Sequence, residues 1–84
     1  MIGKAKLKEL GLETIEDYFE HIKKEAVVGQ HSMFSSTSQE VRDLIDDLNR
    51  PQRVHCAKYC IEQGRKFRME AYFTVAHTAL DYLT

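Results

Sequence analysis

The chain has 84 residues, of which 43% are hydrophobic and 30% charged, and a formal net charge of -1. That length holds one domain, the mixture excludes a disordered or collagen-like chain, and the near-neutral balance excludes a polycationic nucleic-acid coat. A core this small leaves little margin of stability, so sharing apolar surface between subunits would help.

The charge is segregated along the chain. Lys4, Lys6 and Lys8 make a basic start, whereas residues 9–47 carry ten acids against Lys23, Lys24 and Arg42. Residues 50–68 reverse the sign, with Arg50, Arg53, Lys58, Arg65, Lys66 and Arg68 facing only Glu62. Blocks of opposite sign pair within a fold, between subunits or with an outside partner. The first residues never develop the apolar run of a secretory signal. The longest stretch without a formal charge, residues 26–39, is too short and too polar to cross a bilayer, so no membrane association is expected. Cys56 and Cys60 stand four apart in a helical pattern, which holds the thiols parallel and unsuited to a disulfide; the expected setting is a reducing cytoplasm.

In chain order, residues 1–10 read as a short basic helix or arm, docked by Leu7 and Leu10 and stopped by Gly11. Thr14 with Asp17 three residues on has the form of a capping box, and Ile15, Tyr18, Phe19, Ile22 and Ala26 then follow one helical face. This predicts a helix over 14–27, with Glu16, Glu20, Lys23 and Lys24 on the outer face and Glu20 placed to meet Lys24 at i+4. Residues 30–37 have no period and read as a hydroxyl-rich loop, in which Met33 and Phe34 are the large apolar pair. Val41, Leu44, Ile45 and Leu48 predict a second helix over 38–48, capped from Ser36, Thr37 or Ser38, with an acidic outer face of Asp43, Asp46 and Asp47.

Asn49 suits a left-handed helix end and Pro51 the first turn of a third helix, read over 51–63 with Gly64 as its stop. Beyond Gly64 the spacing is ambiguous. Phe67, Met69, Ala71, Phe73 and Val75 alternate as in a strand, while Ala71, Tyr72, Val75, Ala76, Ala79, Leu80 and Leu83 fit a helix. Length and the three alanines favour a fourth helix over 65–83, apolar nearly all round and hence a central helix or a subunit contact. The expected fold is therefore an all-α, four-helix bundle-like single domain with a basic N-terminal arm or helix. The alternative is an α+β chain with a hairpin near 54–75. The expected core is Ile15, Phe19, Ile22, Val41, Leu44, Ile45, Leu48, Val54, Ile61, Val75 and Leu80.

Candidate chemistry is thin. His55, Cys56 and Cys60 are ligand types, yet the spacing lacks the paired thiols of zinc motifs, and cysteine is commonly a small core residue. A cysteine nucleophile needs a base within hydrogen-bond reach, and His55 points about 100° away from Cys56 on a helix. No Gly-rich phosphate loop occurs. These readings predict no catalytic residues, no metal and no cofactor. The functional expectation is a non-enzymatic protein-binding module, an adaptor, regulator or inhibitor that self-associates. Its candidate partner-binding residues are Met33, Phe34, Arg50, Arg53, Lys58, Arg65, Lys66 and Arg68. The alternative is a nucleic-acid-binding regulator, with the 38–48 and 51–63 helices as a helix-turn-helix presenting Gln52, Arg53, His55 and Lys58. The acidic first helix and the short turn count against it.

Overall fold

In a computed structural model, residues 1–29 and 39–83 are described. They form five helices: α1 Lys4–Glu9, α2 Ile15–Gly29, α3 Gln39–Asp46, α4 Arg50–Phe67 and α5 Glu70–Asp81. No strand occurs among the described residues, so the hairpin alternative falls and the fold is all-α. Predicted loop residues Met33 and Phe34, with the hydroxyls proposed to cap α3, lie outside the described residues.

Local chemistry sets most of the boundaries. Gly11, at φ +74, ends α1: the Leu12 N–H donates to the Leu7 C=O and the Gly11 N–H to the Lys8 C=O, the paired bonds that close a helix on a left-handed residue. Leu7 docks as expected, but Leu10 is exposed and Ile2 is buried in its place. Gln52 explains this, since its side chain accepts from the Ile2 N–H (3.0 Å) and donates to the Ile2 C=O (2.7 Å), pinning the arm to α4. The Thr14–Asp17 capping box forms in both directions. Among the described residues, four hydrogen bonds and three ring contacts then tie α2 to later helices.

Two predicted boundaries move. Asn49 does not take the left-handed conformation; it is extended and caps α4, its Oδ1 accepting from the Gln52 N–H while Gln52 Oε1 accepts from the Asn49 N–H. Gly64 does not stop α4, which runs on to Phe67. The left-handed residue is Arg68 (φ 54), and the N–H groups of Arg68 and Met69 both donate to the Gly64 C=O. Gly64 instead serves packing: a Cβ there would lie 2.9 Å from the Phe73 ring. Only a missing side chain lets Phe73 lean this closely on α4.

α5 is the central helix, packed against α2, α3 and α4, with its contact to α4 the most extensive. Small residues make that possible. Cys56, Ala57, Cys60 and Gly64 on α4 and Ala71, Val75, Ala76 and Ala79 on α5 are all buried, and the two helices pack closely. Around this seam Tyr18, Phe19, Ile22, Val41, Ile45 and Leu48 fill the interior. Ile15, Leu44 and Ile61 are partly buried against it, and Val54 is likewise only partly buried, all short of the full burial expected. Leu80 is a correction: it is 45% exposed, because turning Ala76 and Ala79 inward to the seam turns Phe73 and Leu80 out. No helix among the described residues is long and apolar enough to cross a membrane.

Candidate functional site

The predicted basic segment divides into spent and free side chains. Arg53 is spent. Its guanidinium donates to the carbonyls of Ile45 (3.3 Å) and Asp46 (3.0 Å), approaches the Asp46 carboxylate at 3.7 Å and lies 5.1 Å from the Tyr82 ring centre. It therefore closes the C-terminal end of α3, where free carbonyls and the helix dipole favour a cation. Gln52 holds the arm and the α4 cap, and His55 Nε2 stands 3.2 Å from Glu16 Oε1 with its ring edge-on to Phe19. Of the four side chains that a helix-turn-helix would offer, Lys58 alone remains, while Asp43 and Asp46 on α3 and Asp47 just after it are exposed. Like charge there opposes a phosphate backbone.

Arg50, Lys58, Arg65, Lys66 and Arg68 are exposed, and no carboxylate stands within 4 Å of any of them among the described residues. The last three cluster at the α4–α5 corner. Between them Phe67 is 53% exposed and stacks on Tyr72, ring centres 6.5 Å apart and planes 25° apart. Lys66 Nζ lies 5.4 Å from the Phe67 ring centre, and Lys23 Nζ 5.2 Å from that of Tyr72.

Beneath this corner sits a polar cluster that sequence spacing did not indicate. Glu20, expected on the outer face of α2, turns toward α4 and α5 and accepts three hydrogen bonds. Tyr72 donates to both carboxylate oxygens (2.7 and 2.9 Å) and Tyr59 to one (2.9 Å), with Lys23 rather than Lys24 as the ion-pair partner at 3.7 Å. Burial, then the hydrogen bond to Glu20 and its charge, push both phenols well above the ordinary tyrosine range. They stay neutral donors, and the cluster welds three helices. The sole sequence signal for it was two tyrosines beside otherwise apolar stripes, which do not reveal a shared partner on a third helix.

Cys56 and Cys60 are free and buried. The Cys60 thiol is raised far above its ordinary range by its hydrogen bond to Cys56, then by burial and by the charges of Cys56 and Glu20. A thiol held protonated is a weak nucleophile. His77 does not approach it, standing exposed 3.9 Å from Asp81. Among the described residues no group of three His, Cys, Asp or Glu side chains is placed to hold a metal ion. Protein-family models, curated proteins and solved structures all gave no match to this chain.

Proposed function

We propose that this chain is a non-enzymatic protein-binding module that self-associates through the outer face of α5. The observation that carries the reading is the pair Phe73 and Leu80, seven residues apart on one side of α5 and 40% and 45% exposed, although the opposite side of that helix is the centre of the core. Two large apolar side chains two turns apart form a ridge, the usual form of a helical docking surface. A small domain gains from covering it.

Charge gives the ridge direction. The neighbouring α4 surface adds exposed Arg50, Lys58 and Arg65, while α3 carries the acids, so a second copy meeting this face brings opposite signs together. Candidate anchors Met33 and Phe34 fall outside the described residues and add nothing to the reading.

Sedimentation at micromolar to submillimolar concentration tests it. The expected result is a concentration-dependent dimer that Leu80→Lys converts to a monomer without loss of helicity, since Leu80 already stands outside the core. A wild-type monomer with a concentration-independent unfolding temperature would remove self-association. A heterologous partner retained by the wild type and lost by Leu80→Lys would keep the docking face alone.

A further inference from the structure

We propose that the α4–α5 corner, formed by Arg65, Lys66, Phe67 and Arg68 over Tyr72, binds single-stranded nucleic acid, with Phe67 as the stacking platform for one base and the three cations on the adjoining phosphates. Three independent features converge there. Phe67 is the most exposed aromatic side chain among the described residues and is backed by the Tyr72 ring, so the pair presents a braced π surface to solvent. An exposed phenylalanine backed on one face by a second ring leaves its other face for an unstacked base to stack on.

The cations are uncommitted. Whereas Arg53 and Lys23 are engaged with carboxylates, Arg65, Lys66 and Arg68 have no ion-pair partner within 4 Å among the described residues. Lys66 rests over the Phe67 ring and, being a flexible exposed side chain, can swing aside as a base arrives and carry its ammonium to a phosphate. Glu62 and Glu70 border the corner but leave the three cations in excess.

Arg68 supplies the third feature. It occupies a left-handed backbone position, φ 54, which Gly or Asn would fill at lower cost. Arg68 is exposed at this helix end, next in the chain to Phe67. Duplex DNA is disfavoured by the same structure, because Gln52, Arg53 and His55, the side chains that would enter a groove, are engaged internally. Acidic peptide, the other anionic candidate, leaves the exposed ring pair without a π partner.

The experiment is fluorescence anisotropy on the full chain with a labelled 12-nucleotide oligo(dT) and oligo(U), the matching duplex, and a poly-glutamate peptide, at 50 and 200 mM salt. Single strands are expected to bind best and to weaken on the order of 20-fold between the two salts, as three phosphate contacts require. Phe67→Ala is expected to weaken binding about five-fold or more. Arg68→Gly is the variant that guards against unfolding: it keeps the left-handed turn, so the unfolding temperature holds or rises while affinity and salt dependence fall. Leu80→Lys is expected to leave strand binding intact, which separates this site from the self-association face. Absence of binding at 50 mM salt, preference for the duplex or for poly-glutamate, or binding indifferent to both Phe67→Ala and Arg68→Gly would each overturn the proposal.

Discussion

Glu20 shows how one side chain organises three helices. Its carboxylate is the common acceptor for Tyr59 and Tyr72, so the two phenols compete for one charge rather than each making a private bond. Hydrogen bonds to a charged group contribute about 1.5–3 kcal/mol where solvent is excluded, and the partial exposure of Glu20 lowers that. Tyr72→Phe is therefore expected to destabilise the protein by about 1–2 kcal/mol in urea unfolding, and Tyr59→Phe by less, since Tyr72 touches both oxygens. The double variant is expected to cost more than the sum, because in each single variant the remaining phenol takes the freed lone pairs, whereas the double variant leaves the carboxylate with neither donor. Strict additivity would mean that the two bonds are independent and that Glu20 is no shared hub. The helical period placed Glu20 outside on α2 because that period sees one helix at a time. Its partners lie 39 and 52 residues away, and pairing at such a distance leaves no trace in local spacing.

At the scale of elements, the stripes of α2 and α3 were legible because each is one-sided: Phe19, Ile22, Val41, Ile45 and Leu48 are buried as their spacing requires. The α4–α5 boundary was not. Gly64 has the composition of a helix stop, but its function is set by Phe73 nine residues later, and the true stop is an arginine in a conformation for which glycine is the usual signal. Gly64 in a helix interior costs roughly 1 kcal/mol against alanine, a cost accepted here for the approach of Phe73. The two terms can be separated by a double-mutant cycle. Gly64→Ala is expected to change stability by less than about 1 kcal/mol, since gained helix propensity offsets the outward push on the exposed Phe73 ring. In a Phe73→Ala background the same change is expected to stabilise by about 1 kcal/mol, because nothing then resists the new methyl. Identical effects in both backgrounds would show that Phe73 does not rest on Gly64.

Across the whole molecule the interior holds acidic protons that it cannot release while folded. Tyr18 is buried with its hydroxyl donating to the Leu44 C=O at 2.7 Å, and burial, then the charges of Asp47 and Cys56, raise it above the ordinary tyrosine value of 10.0. Tyr59 and Tyr72 are raised through burial and Glu20, and Cys60 rises above its ordinary 9.0 through Cys56 and burial. The unfolded chain loses these protons at the ordinary values and the folded chain does not, so their contribution is intact below about pH 9 and declines as pH rises. Each fully retained proton makes stability fall by about 1.4 kcal/mol per pH unit, with less from half-exposed Tyr59, where solvent screens the charge. Urea midpoints are thus expected to drop between pH 8 and pH 11, first with the thiol and then with the tyrosines, and Tyr18→Phe is expected to flatten the upper part of that decline even though it lowers stability at pH 8. Thiol labelling gives an independent check on the same interior. With both cysteines buried and Cys60 held protonated, modification at pH 8 requires opening of the α4–α5 seam, so its rate is expected to be far below that of a free thiol and to climb with urea in step with unfolding. Labelling at the free-thiol rate in the absence of denaturant would mean that α5 leaves α4 readily, and the packing of small residues that places Phe67, Phe73 and Leu80 on the surface would not be the resting state of the protein.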